Sequence, residues 1–119
     1  MKAGNRTSGV RLRLVLARGV AIGPGKADLL AAIRDAGSIA AAGRRLGMSY
    51  KRAWTLVEAL NRDFAAPLVE AVKGGAGGGG ARLTPEGAAV LDAFRRVETA
   101  ALRAAAPELE RLRERLPAD

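Results

Sequence analysis

Between Ser38 and Asp63 two apolar-striped segments are joined by only three residues, Gly47-Met48-Ser49. A connection this short, with a Gly to leave the first segment, predicts two helices that cross at a steep angle and share one core. The first, Ile39 to Leu46, opens at Ser38, whose hydroxyl can accept an orphan backbone N–H at the helix start. The second, Tyr50 to Asp63, is capped by Ser49 and offers Ala53, Leu56, Val57, Leu60 and Phe64 as its buried face. Steps of about 100° per residue from Ala53 and Val57 then place Lys51, Thr55 and Arg62 opposite the core, with Arg52 and Trp54 on the flanks. Trp54 is expected to pack against the preceding helix.

The flanking segments complete the pattern. Val10 to Leu16 alternates, with Val10, Leu12, Leu14 and Leu16 on one side, and predicts a half-buried strand that pairs with Val20 to Ile22 through a turn near Gly19. Pro24 starts a helix with Leu29, Leu30, Ile33 and Ala36 as its stripe, and Gly37 stops it. Pro67 to Val72 and Ala81 to Thr84 read as a hairpin around a loop that is Gly at six of positions 74 to 80. From Pro85, with Thr84 as N-cap, a long helix runs through Leu91, Phe94, Val97, Ala101 and Leu102. Pro107 is expected to kink or restart it, before a last segment Glu108 to Leu116 carrying Leu109, Leu112 and Leu116.

The expected fold is therefore mainly α with small β: a winged helix-turn-helix with an N-terminal strand pair, a β-hairpin wing and a long C-terminal helix. Residues 1–9 are expected to form a flexible basic arm, 10–84 the winged domain and 85–119 a helical dimerisation segment. Aromatic residues are only 3% of the chain, so the core must come mainly from Ala, Leu, Val and Ile.

Cysteine and histidine are both absent, which removes the thiol nucleophile, the usual general base near neutral pH and two of the main metal ligands. No catalytic residue, metal site or cofactor is expected. No stretch approaches the roughly 20 apolar residues of a membrane span, so no membrane partner and a cytoplasmic location are expected. Charge is uneven. Residues 1–54 carry 11 Lys and Arg against Asp28 and Asp35, a net +9, while residues 55–119 carry 9 basic and 10 acidic side chains, a net −1. A surface for a polyanion would lie in the first half.

Lys51, Arg52 and Thr55 are the candidates for the major groove and its adjacent phosphates, since Lys and Arg can donate to guanine and Thr can meet a base edge or a thymine methyl. Ser49 and Tyr50 can reach a phosphate from the start of the same helix, and Ser38, Arg44 and Arg45 from the helix before it. Lys73 and Arg82 stand at the base of the Gly-rich hairpin, which lacks the Lys-Ser/Thr ending of a nucleotide-binding loop and reads better as a wing tip. Leu91, Phe94, Val97, Leu102, Leu109 and Leu112 make too long an apolar series for a single small domain to cover, and predict a homodimer.

The run SIAAAGRRLGMSYKRAWTLVEALN, followed by PLVEAVKGGAGGGGARLTPEG, closely resembles the N-terminal DNA-binding domain of ModE-type, molybdate-responsive regulators, and more distantly the LysR-type winged domain, over roughly residues 10–105. The resemblance implies a transcriptional regulator that binds duplex DNA as a homodimer. Full-length members of that family continue into β-barrel oxyanion-binding domains, so this chain is expected to be a stand-alone DNA-binding form that does not itself bind molybdate. The competing expectation is a winged-helix module that binds protein without specific DNA binding.

Overall fold

The computed structural model describes residues 9–73 and 79–118. Most of the basic arm, residues 1–8, and the tip of the Gly-rich loop, residues 74–78, lie outside the described residues. The order of elements is β1 (Leu14–Ala17), β2 (Val20–Ile22), α1 (Pro24–Ala36), α2 (Ile39–Arg45), α3 (Tyr50–Asp63), β3 (Val69–Val72), β4 (Gly80–Leu83) and α4 (Pro85–Arg113). Two antiparallel hairpins, β1–β2 before α1 and β3–β4 between α3 and α4, do not join into one sheet. The fold is mainly α with small β.

Each helix begins and ends where local chemistry directs. Pro24 opens α1, and Gly37 closes it in the left-handed region at φ 78°, returning its N–H to the Ile33 carbonyl. Ser38 Oγ accepts from Ala41 N at 3.0 Å and Ser49 Oγ from Arg52 N at 3.1 Å, so both helices of the short-turn pair start on a satisfied cap. Thr84 does the same for α4, accepting from Gly87 N at 2.9 Å, and its hydroxyl also donates to Pro67 O at 2.7 Å.

The core is centred on α1, whose Leu29, Leu30 and Ile33 are fully enclosed. Against it pack Ile39 and Ala42 from α2, Ala53, Val57 and Leu60 from α3, and Leu68, Val69 and Ala81 from the β3–β4 hairpin. Gly87 marks the closest approach. A β-carbon there would lie 2.9 Å from the Leu68 carbonyl carbon and closer still to its oxygen, so the start of α4 can lie against β3 only without a side chain.

Several expectations are corrected. Leu91 and Phe94, expected in a dimer contact, are only 1% and 2% exposed and belong to this chain's own core, because α4 docks onto α1 through its first three turns. Pro107 does not restart the helix: α4 runs continuously from Pro85 to Arg113, with the turns after the proline laced by Arg111–Glu108 and Arg113–Glu110 pairs. It ends at Arg113, short of the expected Leu116. At the other end, regular pairing begins only at Leu14, and the register shifts between Val15 and Ala17, which leaves Leu16 exposed instead of beside Leu14. Arg95 fixes α4 to α1 through Asp28 at 3.1 Å and also meets Glu98 at 2.9 Å. Burial works against its charge, but these hydrogen bonds prevail and hold its pKa above the ordinary value. Among the described residues no helix is long and apolar enough to cross a membrane.

Candidate nucleic-acid interface

α3 is divided around its circumference into four strips. Ala53, Val57 and Leu60 are buried. Opposite them stand Lys51, Thr55, Glu58 and Arg62, all exposed. On one flank Tyr50 and Trp54 meet in an edge-to-face pair, with ring centroids 6.1 Å apart at 75°. Their cleft of about 300 Å³ is lined by Ser38, Ile39 and Ala40 on one side and by Ala71, Gly79, Gly80 and Ala81 on the other. Trp54 thus sits against α2, as its spacing predicts, and also against the β3–β4 hairpin. On the other flank Arg52 and Leu56 turn toward the β1–β2 hairpin and the start of α1.

On and around the exposed strip several cations are left without a counter-charge. Among the described residues Arg44, Arg45, Lys51, Arg52 and Lys73 have no carboxylate within ion-pair distance, whereas Arg62 pairs with Asp63 and Arg82 with Glu70 at 2.7 Å. The Arg82–Glu70 pair lies directly across the hairpin, in register, and is well exposed, so it costs little to open. Thr55 Oγ1 donates to the Lys51 carbonyl at 2.9 Å, which leaves its oxygen as an acceptor and its methyl free for apolar contact. Ser38 and Ser49 spend their oxygens as caps. The structure therefore brings Ser49, Tyr50, Lys51, Arg52 and Thr55 together on the first two turns of α3, with Ser38 across the aromatic cleft and Arg44 and Arg45 exposed on the last turn of α2.

Asn61 was not legible as a functional position. Its Oδ1 accepts from Leu68 N at 2.9 Å and Val69 N at 3.0 Å, and its Nδ2 donates to Val69 O at 3.1 Å. Three hydrogen bonds thus tie the far end of α3 to the first strand of the hairpin. The opposite strand is tied to α1, where Ala81 N donates to the Gly37 carbonyl at 2.9 Å. The base of the hairpin is held on both sides. An Asn near a helix end gives no sequence signal for this, since a solvated Asn reads the same way.

A short turn between α2 and α3, a third helix behind them and a hairpin fastened beside α3 together define a winged helix-turn-helix domain. Residues 26–88, more than half the chain, match the family described as bacterial regulatory helix-turn-helix protein, lysR family, and the chain belongs to that family. It is 49% identical over 80 residues to the molybdenum-pterin-binding protein MopB of Rhodobacter capsulatus, covering 67% of this chain and 30% of that one. It is 35% identical over 85 residues to the DNA-binding transcriptional dual regulator ModE of Escherichia coli, covering 71% and 32%. The chain thus spans about a third of the length of these relatives. Among solved structures, the CbnR DBD in complex with DNA superposes with a TM-score of 0.54 at 29% identity, covering 76% of this chain and 93% of that one. Full-length CbnR complexed with its target DNA gives 0.55 at 28% identity, covering 71% and 27%.

Proposed function

We propose that this chain is a sequence-specific transcriptional regulator of the ModE type, which binds duplex DNA as a homodimer with α3 in the major groove and the β3–β4 hairpin as a wing beside it. The observation that carries the reading is the exposed strip of α3. Lys51 and Thr55 stand outward on a helix whose opposite side is locked into the core, and among the described residues Lys51 has no carboxylate partner to displace. The relatives named for molybdenum proteins and for ModE, and the solved structures that contain DNA, support it. The dimer contact falls to the half of α4 beyond Phe94, where Val97, Leu102 and Leu112 are exposed and Leu109 is half-covered.

Selection from a pool of random duplexes at moderate salt tests the reading, with enrichment of a motif made of two related half-sites about one helical turn apart as the expected result. Lys51→Ala should then lose about 1–3 kcal/mol at one base position and relax preference there. A pool that enriches no motif overturns the proposal, and an equal loss on every sequence demotes Lys51 to a phosphate contact. Mapping of bound sites in the native genome tests the ModE-type part, with molybdenum-handling genes expected among the targets.

A further inference from the structure

On the flank of α3 that faces away from the wing, an open recess of about 260 Å³ is lined by Arg13, Gly19, Ala21, Gly23, Gly25, Lys26, Arg52 and Leu56. Three cations reach it from three separate elements: Arg13 from the segment before β1, Lys26 from the first turn of α1 and Arg52 from the first turn of α3. Among the described residues no acidic side chain lines it, and none of the three cations has a carboxylate within ion-pair distance. Lys26 is not a loose side chain, because its Nζ donates to the Ala21 carbonyl at 3.0 Å, which fixes the ammonium beside β2 with donors to spare. Arg13 is also placed. Its Cβ and Cγ lie 3.8 and 3.7 Å from where a β-carbon on Gly23 would stand, so its stem lies along the approach to α1.

We infer that this recess binds a backbone phosphate of duplex DNA, on the strand across the major groove from the wing; this rests on the DNA-binding reading above. Like charges gathered without counter-charge repel one another, and a fold retains such a cluster most readily where an anion completes it. The recess is open and polar, which suits a phosphate carried on a polymer better than a free anion that must be enclosed. Its position decides the source. A major groove is bounded by two phosphate strands about 12 Å apart, and a helix lying in it has one strand on each flank. The wing and the Tyr50–Trp54 cleft stand on one flank of α3, and Arg13, Lys26 and Arg52 on the other. The β1–β2 hairpin thereby acts as a second, shorter wing.

The test is the salt dependence of binding to the selected duplex, measured on the full chain. Arg13→Gln with Lys26→Gln should weaken binding about three- to tenfold at moderate salt, lower the slope of log affinity against log salt by about 1, and leave base preference unchanged, as loss of one phosphate contact requires. Arg34→Gln with Arg115→Gln removes the same net charge on exposed side chains outside the recess and beyond α4, and should leave the slope near that of the wild type. If the recess variant keeps the wild-type slope, or if the control variant lowers it equally, the inference fails while the DNA-binding reading stands. A wild-type chain that selects no duplex overturns that reading and the inference with it. Inorganic phosphate, titrated at constant ionic strength, separates the two sources of the group. Weak, unsaturated binding supports the DNA source, and saturable binding lost in the recess variant without any change in salt slope overturns it.

Discussion

The two halves of α4 share one helix and one apolar periodicity, yet they live in different surroundings. From Pro85 to Arg96 the stripe of Gly87, Leu91 and Phe94 is buried against the domain, and Arg95 closes its edge onto Asp28. From Val97 to Arg113 the same stripe continues through Leu102, Leu109 and Leu112, and Leu112 is 61% exposed. Amphipathic spacing records that a face must be covered, not by what. The first half is covered by its own chain, and the second, left exposed, is where the proposed dimer contact falls. A single apolar series in sequence thus divides, at about the position of Val97, into a stretch that builds this chain's core and a stretch that it leaves uncovered.

The contrast can be broken most forcefully in the first half. Phe94→Ala should lower folding stability by about 3–5 kcal/mol, because removing a fully enclosed ring leaves a cavity in a core of mostly small aliphatic side chains. Denaturant midpoints at fixed slope measure it, and a loss under 1 kcal/mol would mean that α4 does not belong to the core. In the second half, Leu102→Ala combined with Leu112→Ala should change the stability of the monomer by no more than about 0.5 kcal/mol per site. The same pair should raise the dimer dissociation constant about tenfold, equivalent to roughly 1.4 kcal/mol, by analytical sedimentation. An unchanged dimer would move the contact elsewhere.

The smallest effect is expected where the halves meet. Asp92, Arg95, Arg96, Thr99 and Arg103 line an open cleft at that junction, and its arginines make it the natural place on α4 to look for an oxyanion. Arg95 is already engaged by Asp28 and Glu98, and the carboxylate of Asp92 stands in the lining. Tight binding of a tetrahedral anion needs converging, unengaged donors in a dry pocket. Calorimetric titration of this 119-residue chain with molybdate at physiological salt should give no saturable heat, and micromolar saturation would show that the junction recruits Arg95 away from its carboxylates.

The helix starts and the end of α1 were readable because each rests on a local signal, whereas the course of α4 past Pro107 was not. Ser38, Ser49 and Thr84 cap the helices they precede, and Gly37 ends α1 with a backbone angle that disfavours a β-carbon. The division of α3 into a buried and an exposed side was readable for the same reason, since it follows from helical spacing alone. What escaped the sequence depends on contacts between distant segments. Nothing near Asn61 announces that it will accept from Leu68 and Val69, and nothing near Arg13 or Lys26 announces that they converge with Arg52. The assignment of Leu91 and Phe94 went astray because periodicity carries no information about which surface arrives first. Leu16 was misplaced because one shift of register within a short strand undoes the alternation on which the reading relied.

Gly87 gives the approach of α4 to β3 a genetic meaning. Every single-base change in a glycine codon that yields another amino acid installs a β-carbon, and at this position that carbon would strike the Leu68 carbonyl, which accepts the N–H of Thr84 and lies beside the Asn61 tie. One misplaced atom would push at the long helix, the wing and the end of α3 together. Such a residue lies outside the proposed DNA and dimer contacts, yet in a population of randomly mutated genes screened for folded protein it should be among the emptiest positions.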